Sequence, residues 1–398
     1  MSKKSLGQFF TKKYDWLDYD QMLSQLITSQ LLEESELDNE SKNTFTFVDP
    51  FAGDGDLLNA CANSTRVKGF NTKIIGFDID QNLCKKHGWT NIDSILTPFS
   101  KVLSLFDDPF RRYICVTNPP YLAKNSAKRQ GIAINPKHYE FRPKPPNNIY
   151  DKPLYFSDMY LTALYKCVSF FNSGLMIVPE TVIQYLVNNH EEANSFNGIL
   201  SFESITVLQD KIFEDTSVPV CVVLWDKTNW HGYNTLHWFG NPELYINDKQ
   251  LPIKKLETLS KYKYDLLSNR TGIFCKFNDP KGQIGLIAID SMKSDKRIRF
   301  TEIDKFDYDI SNVSDKSRTH TVISISKSNG EIYSKEVISQ IIEHANYLLD
   351  IIRFETSDLF LSPFKCNNNA GIRRRRLDYK LAEALLTKAA NEILSYKI

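Results

Sequence analysis

The stretch DPFAGDGDLL, at Asp49–Leu58, decides the fold that this sequence predicts. It follows an apolar run at Phe45–Val48 that predicts a strand, and it leads into a segment that predicts a helix. Gly53 and Gly55 permit a sharp turn and a close approach of the backbone to a ligand. No GK[ST] follows, so the turn is not a P-loop. Leu58 stands where the dinucleotide fingerprint has its third glycine, so that fingerprint is incomplete.

Strand-like and helix-like segments alternate around this turn. The further predicted strands are Lys73–Phe77, a short run near Asn91–Ile92, Tyr113–Val116, Leu175–Val178, Ile205–Leu208 and Val220–Leu224. The predicted helices outside this region are Trp16–Leu32, Ser334–Ile352 and Leu377–Ile398. Such alternation predicts an α/β fold with a Rossmann-like, doubly wound sheet. The pattern changes after Lys227, which predicts one domain over residues 1–227 and a second, mixed α+β domain over residues 228–398.

Acidic residues collect where the first predicted strands end. Asp49, Asp54 and Asp56 belong to the glycine-rich turn, Asp78 ends the second strand, and Asp93 follows the third. Acidic walls repel a pyrophosphate and suit a cationic ligand such as S-adenosylmethionine. A carboxylate at the position of Asp78 can accept hydrogen bonds from ribose hydroxyls, and Asp93 can accept one from an adenine amino group. Ordinary loop chemistry is the alternative, and acids at successive strand ends favour the cofactor site.

The tetrapeptide Asn118-Pro119-Pro120-Tyr121 follows the fourth predicted strand. Its two prolines fix φ and remove backbone donors. The side-chain oxygen of Asn118 and the carbonyl of Pro119 would form two acceptors suited to a planar amino group, and Tyr121 offers a ring on which a base can stack. A rigid turn is the alternative interpretation. It is disfavoured because the tetrapeptide comes so soon after the glycine-rich turn.

Together these motifs resemble the N6-adenine DNA methyltransferases with the gamma order of motifs, over roughly residues 6–226. Gly7–Thr11, GQFFT, resembles the motif that closes over the methionine end of the cofactor. Asp49–Gly55 resembles the cofactor loop and Asn118–Tyr121 the catalytic motif. Lys211–Phe213 resembles the element that carries a second base-stacking aromatic residue.

The resemblance implies a role for each matching residue. The implied cofactor-binding residues are Gln8, Thr11, Asp49, Pro50, Ala52, Gly53, Gly55, Asp78, Ile79 and Asp93. The implied catalytic residues are Asn118, Pro119, Pro120 and Tyr121, with Tyr121 and Phe213 stacking on a flipped base. It also implies S-adenosylmethionine as cofactor, double-stranded DNA as substrate, a seven-stranded methyltransferase sheet and a C-terminal target-recognition domain. A restriction-modification system, with a cognate restriction endonuclease as partner, is the implied setting.

Two basic segments are the predicted DNA contacts. The segment from Leu122 to Pro153 contains seven Lys and Arg residues against two acidic residues, including Lys124, Lys128 and Arg129. The second segment contains four consecutive arginines, Arg373, Arg374, Arg375 and Arg376. Basic residues of this kind neutralise phosphates or read base edges. Solvated protein surface is the alternative for both segments.

Composition excludes several other classes of protein. The 398 residues carry a formal net charge of only +1, which argues against a uniformly basic nucleic-acid coat. The seven cysteines form no CxxC pair and there is no HExxH, so we expect no metal site and no disulfide framework. The polar N-terminus and the absence of long apolar runs predict a cytoplasmic protein without membrane segments. A monomer is expected.

Alternative functions stay open at the level of sequence. The same tetrapeptide chemistry serves methylation of cytosine N4, of adenine in RNA and of a glutamine amide in proteins. The roughly 170 residues after Lys227 favour DNA over a protein substrate. A non-catalytic DNA-binding subunit is disfavoured because both the glycine-rich turn and the tetrapeptide are intact.

Overall fold

The computed structural model describes residues 44–64, 67–103, 112–142, 153–188, 202–208, 218–226, 242–246, 249–268, 273–293, 297–306, 319–327, 329–369 and 373–395. The chain divides into two compact units, one of residues 1–182 and 189–250 and the other of residues 183–188 and 251–398. The sequence predicts the division near Lys227. The first unit extends further because residues 243–246 add a strand to its sheet.

The first unit is built on a large, mostly parallel sheet. Its strands are β1 (Thr44–Asp49), β2 (Asn71–Asp78), β3 (Thr90–Asn91), β4 (Arg112–Thr117), β7 (Ser173–Pro179), β8 (Ser204–Leu208), β9 (Val220–Asp226) and β10 (Glu243–Ile246). A small antiparallel hairpin, β5 (Glu140–Phe141) and β6 (Leu154–Tyr155), lies outside this sheet. The helices are α1 (Asp56–Ala62), α2 (Gln81–His87), α3 (Phe99–Leu103), α4 (Lys124–Arg129), α5 (Met159–Phe170) and α6 (Thr181–Asn188), whose last six residues belong to the second unit.

Among the described residues the sheet has nine strands, in the order β11-β10-β8-β9-β7-β4-β1-β2-β3, where β11 is Lys249–Lys255. From β10 to β3, neighbouring strands are parallel except where β9 pairs antiparallel with both β7 and β8. The mostly parallel α/β sheet that the sequence predicts is therefore confirmed. Among the described residues the sheet is larger than the seven strands predicted, because β10 pairs with β8.

The core of the first unit follows from its sequence pattern. All seven residues of β7 and all seven of β9 are buried, as continuous apolar runs in a central strand require. α1 packs against β1 and β2, and α5 packs against β7. Since β1, β2, β3 and β4 run parallel, their carboxyl ends meet at one edge of the sheet. Asp49, Asp78 and Thr117 are the last residues of their strands at that edge.

The second unit combines an antiparallel sheet with long helices. Its strands are β12 (Ile273–Phe277), β13 (Ile284–Ile287), β14 (Arg299–Glu302) and β15 (His320–Lys327), in the order β12-β15-β13-β14, with a separate pair of β16 (Ser362–Asn367) and β17 (Arg373–Arg376). Its helices are α7 (Leu256–Ser268), α8 (Lys335–Glu355) and α9 (Tyr379–Ser395). β11 (Lys249–Lys255) begins in the first unit and ends in the second. No described helix is long and apolar enough to cross a membrane.

The segment after the NPPY tetrapeptide is more ordered than its sequence pattern suggests. It contains α4, a 3₁₀ turn at Pro136–Tyr139 and the first strand of the hairpin. Tyr139 is fully buried and packs in an apolar cluster with Ile95, Leu122, Ala127 and Met159. Apolar burial by these few side chains fixes a segment whose many charges and prolines conceal any periodicity.

Candidate active site

A cavity of about 300 Å³ lies at the carboxyl edge of the parallel strands. The sequence-predicted residues that line it are Asp49, Pro50, Ala52, Gly53, Asp78, Ile79, Asp93, Asn118 and Pro120. The glycine-rich turn and the NPPY tetrapeptide, which are far apart in sequence, thus line the same cavity. Gly55, Pro119 and Tyr121 do not line it. Gln8, Thr11 and Phe213 lie outside the described residues.

The glycine-rich turn is fastened to the second strand by its backbone. The amide of Ala52 donates to the carbonyl of Phe77 over 2.8 Å, and the amide of Gly53 donates to Oδ2 of Asp78 over 2.9 Å. Gly53 and Gly55 both have positive φ, at 52° and 78°. These two conformations favour glycine, which explains the spacing of the two glycines in the sequence.

Trp89 shapes the outside of this turn, and sequence reasoning missed it. Its indole Nε1 donates to the carbonyl of Gly53 over 3.2 Å. A Cβ atom on Gly55 would lie 2.5 Å from the Trp89 ring, and one on Gly76 would lie 2.4 Å from it. The Trp89 ring therefore fills the space that side chains at Gly55 and Gly76 would occupy. A single tryptophan between α2 and β3 carries no motif signal by which it could have been found.

Asp49 is the most deeply buried acid of the cavity, with 2% of its surface exposed. Its Oδ1 accepts hydrogen bonds from the hydroxyl of Thr117, over 2.5 Å, and from the amide of Phe51, over 2.9 Å. Burial raises the pKa of Asp49 to about 7, although both hydrogen bonds act to lower it. The carboxyl is therefore near its titration midpoint at neutral pH. It links the end of β1 to the end of β4.

Asp78 is held by the backbone as well. Its Oδ1 accepts from the amide of Asp80 over 2.7 Å, and its Oδ2 accepts from Gly53. Burial raises the pKa of Asp78, while these two amide hydrogen bonds act to lower it. The next residue, Ile79, is 47% exposed and also lines the cavity. A fixed carboxylate beside an exposed apolar side chain suits a ligand with a hydroxylated ring and a flat apolar face.

Asp93 joins the cavity from the loop after β3. Its Oδ1 accepts from the amides of Ile95 and Leu96 over 3.1 and 3.2 Å, and its Oδ2 contacts Nε2 of His138 at 2.7 Å. His138 belongs to the segment after the NPPY tetrapeptide, and it also lines the cavity. No motif in the sequence marks this histidine.

The NPPY tetrapeptide is held by its tyrosine. Tyr121 is 9% exposed, and its hydroxyl contacts Oδ1 of Asn118 at 2.5 Å and donates to the carbonyl of Ile177 over 2.8 Å. Its ring packs edge-on against Tyr160, with 6.3 Å between the ring centroids. Burial raises the pKa of Tyr121 well above its usual range. The hydroxyl thus stays protonated, and the stacking role expected for the ring remains a prediction.

The basic residues predicted to contact DNA occupy different environments. Lys128 and Arg129 are exposed on α4, whereas Lys124 is half-buried with its ammonium 5.0 Å from the centre of the Tyr139 ring. The sequence predicts Arg373–Arg376 as DNA contacts; the run forms strand β17, and Arg375 is 3% exposed. Arg375 is the one buried arginine of the four, so it does not carry the exposed charge that the DNA-contact prediction requires.

No cluster of three or more His, Cys, Asp or Glu side chains that could hold a metal occurs within the described part of the chain. The cavity offers carboxylates and apolar walls, a donor set that fits a cationic organic ligand with hydroxyl and amino groups. The additional lining residues include Phe51, Asp54, Asp56, Leu57, Ser94, Ile134 and Asn135. Three aspartates of the glycine-rich turn therefore face the cavity together with Asp78 and Asp93.

No protein-family model matches the chain, and no curated protein matches it significantly. The type I restriction-modification methyltransferase subunit of Streptococcus thermophilus is similar at 18% identity and a TM-score of 0.32, over 57% of this chain and 46% of that one. The M protein of the type I restriction enzyme EcoKI is similar at 11% identity and a TM-score of 0.31, over 96% and 71%. The chain spans about half the length of the Streptococcus subunit.

Proposed function

We propose that this chain is an S-adenosylmethionine-dependent methyltransferase that methylates the N6 amino group of adenine in DNA. One observation carries the proposal: Asn118 and Pro120 of the NPPY tetrapeptide line the same cavity as Asp49, Asp78 and Asp93. A methyl donor and a target amino group must meet for transfer. The acidic glycine-rich turn would bind the methyl donor, and the tetrapeptide would bind the target amino group in the same cavity.

The acidic half would bind the cofactor. Asp78, held by the amides of Gly53 and Asp80, would accept the ribose hydroxyls. The exposed Ile79 would pack against the adenine ring, and Asp93 would accept from its amino group. The carboxylates of the glycine-rich turn would favour a ligand with positive charge. When bound, S-adenosylmethionine supplies an electrophilic methyl group.

The tetrapeptide would hold the target amino group. The hydroxyl of Tyr121 has one proton, yet it lies within hydrogen-bond distance of both Ile177 O and the amide of Asn118. Both contacts are satisfied when Tyr121 donates to Ile177 and accepts from Nδ2 of Asn118, since amide oxygen and nitrogen are interchangeable in such assignments. Oδ1 of Asn118 then lies on the other side of the amide, where it would accept from the adenine amino group. A preorganised acceptor of this kind stabilises the charge that develops on nitrogen.

The DNA substrate is proposed from the NPPY resemblance and from the basic residues beside the site. α4 follows the tetrapeptide directly and exposes Lys128 and Arg129. Base flipping costs a few kcal/mol, and phosphate contacts from such residues would help to offset it. A place in a restriction-modification system, and the target-recognition role of the second unit, belong to the same proposal.

The test is transfer of a labelled methyl group from S-adenosylmethionine to duplex DNA by the purified chain. Asn118→Ala is expected to lower the rate by roughly 10²–10³-fold, as loss of a preorganised charge-stabilising group does. Its cofactor affinity, measured by calorimetry, should stay close to that of the wild type because Asn118 acts on the target. Asn329→Ala, in an exposed turn of the second unit, is the matched control. Equal rates for Asn118→Ala and wild type would contradict the proposal.

A further inference from the structure

His138 is held rigidly against the cavity by its neighbours. It belongs to the 3₁₀ turn Pro136–Tyr139, which Asn135 caps by accepting from the amide of Lys137 over 3.1 Å. The following residue, Tyr139, is fully buried, and its hydroxyl donates to the carbonyl of Leu122 over 3.0 Å. The position of His138 is therefore fixed from both sides, and its ring contacts Asp93 at 2.7 Å.

The two carboxylate oxygens of Asp93 have separate partners. Oδ1 accepts from the loop amides of Ile95 and Leu96, whereas Oδ2 contacts Nε2 of His138. Both the Asp93 and His138 side chains remain partly exposed, at 24% and 19%. Burial acts to raise the pKa of Asp93, but the hydrogen bond and charge of His138, with the two amides, outweigh it and hold the pKa below its ordinary value. Asp93 is thus ionised at neutral pH and acts only as an acceptor.

The backbone of the Asp93 loop is fixed independently of His138. The ammonium of Lys166 donates to the carbonyls of Ser94, Ile95 and Thr97 over 2.6, 2.8 and 2.6 Å. Three carbonyls that converge on one ammonium satisfy all three of its protons. Loss of the His138 side chain would therefore remove the contact to Oδ2 of Asp93, while the amide hydrogen bonds to Oδ1 and the fold of the loop remain.

We infer that His138 is a specificity-determining residue, which orients Oδ2 of Asp93 as an acceptor for a 6-amino purine and so rejects a 6-oxo purine at the cofactor site. This inference rests on the proposed function. A carboxylate attracts an amino group and repels a carbonyl oxygen, so the discrimination depends on the orientation that His138 gives to the Asp93 carboxylate. His138 acts through Asp93 and takes no part in methyl transfer.

The test compares the affinities of S-adenosylhomocysteine and S-inosylhomocysteine by calorimetry on the full chain. Wild type is expected to bind the adenine compound about 10–100-fold more tightly, the range for a hydrogen bond to a charged group. His138→Leu should shrink that ratio to a few-fold, whereas His138→Gln, which keeps an N–H donor, should preserve most of it. His138→Phe provides a second variant without a donor if His138→Leu does not fold.

The matched control is His87→Leu. His87 also pairs with a cavity carboxylate, with 3.4 Å between its Nε2 and Oδ1 of Asp54. Its removal should leave the ratio unchanged. An unchanged ratio in His138→Leu, with both compounds weakened equally, would overturn the inference and leave the proposed function standing. Failure of wild type to bind S-adenosylhomocysteine at all would overturn the proposed function, and the inference with it.

Discussion

At the residue scale, the site is defined by carboxylates that the fold buries. Asp49 and Asp78 end neighbouring parallel strands, and each accepts hydrogen bonds from local backbone amides. Burial raises the pKa of each carboxyl, and these hydrogen bonds offset that rise only in part. Perturbed carboxyls in a cavity are typical of functional sites. Ionisation of these buried carboxyls therefore lowers the free energy of unfolding by an amount that can be measured.

Asp49→Asn is expected to remove part of the pH dependence of stability. The pKa of Asp49 is raised from 3.8 to about 7, so its stabilising contribution is full below pH 3.8 and is lost as the pH rises through about 7. Asparagine keeps the acceptor for Thr117 and Phe51 without the buried charge. At pH 8 the variant should be more stable than wild type by roughly 2–4 kcal/mol. At pH 4 the two should be similar.

Urea unfolding at pH 4, 6 and 8 measures this difference. A variant whose free energy of unfolding runs parallel to that of wild type across the range would show that Asp49 is not the group responsible.

At the element scale, the conformation of the glycine-rich turn depends on the ring of Trp89. Gly55→Ala should disturb the turn because φ is 78° and the new Cβ would lie 2.5 Å from that ring. Gly69→Ala is the matched control, since φ is 94° there but nothing lies within 4 Å of the added carbon. Both variants carry the backbone cost of about 1 kcal/mol for a non-glycine residue at positive φ. Only Gly55→Ala should also lose cofactor affinity.

Calorimetric titration with S-adenosylhomocysteine, together with thermal unfolding, separates the two effects. Equal cofactor affinities for the two variants would mean that the turn does not shape the cofactor site.

A second prediction at this scale concerns α8 in the second unit. Arg353 on this helix is buried, and its guanidinium donates to both oxygens of Asp290 over 3.0 Å and to Asp358 over 2.7 and 2.9 Å. Arg353→Met would remove the buried cation that faces Asp290 and Asp358. Among the described residues, only Asp358 would then keep an ion pair, with Arg297 over 3.0 Å. A cost of about 3–5 kcal/mol is expected, as for breaking a buried ion pair. Lys335, at the start of the same helix, forms an exposed ion pair with Asp304. Lys335→Met should therefore cause no measurable change in stability.

Chemical unfolding of the full chain, followed by fluorescence, distinguishes the two variants of α8. Similar midpoints for both would indicate that the Arg353 network does not stabilise this unit.

At the scale of the whole molecule, the parallel strands and the cavity edge follow from sequence pattern. Strand ends that carry Asp49, Asp78 and Asn118 predict where the cavity lies, because parallel strands share one carboxyl edge. The contributions of Trp89 and His138 were not predictable. Each is a single residue whose role depends on packing between segments that are distant along the chain, and no local period or motif records such packing.

The environment of the arginine run Arg373–Arg376 was also unpredictable, because it too depends on contacts between distant segments. Four successive basic residues are typical of a solvated surface, but they form strand β17, where Arg375 is buried and its backbone amide donates to Oδ2 of Asp290 over 2.9 Å. Likewise, the strand β10 lies beyond the predicted domain boundary because pairing with β8 cannot be read from a four-residue segment. Long-range pairing decides both outcomes.

The different exposures of the basic residues predict different effects on DNA binding. Joint substitution of Lys128 and Arg129 by alanine should reduce the slope of log affinity against log salt by about 2, since each lost phosphate contact removes about 0.9. Arg375→Ala should leave the slope unchanged while lowering the stability of the second unit. Fluorescence anisotropy with duplex DNA between about 50 and 200 mM salt measures the slopes. An unchanged slope for Lys128 and Arg129 would remove α4 from the DNA interface.

The proposed function requires that one cavity brings a methyl donor to an adenine amino group in DNA. Modification-sensitive sequencing of DNA from a methylation-free host that expresses the chain is the decisive measurement. N6-methyladenine is expected at a defined sequence, and it should be absent when the host expresses Asn118→Ala. Unmodified DNA from cells that contain folded, cofactor-binding wild-type protein would rule out adenine methylation by this chain.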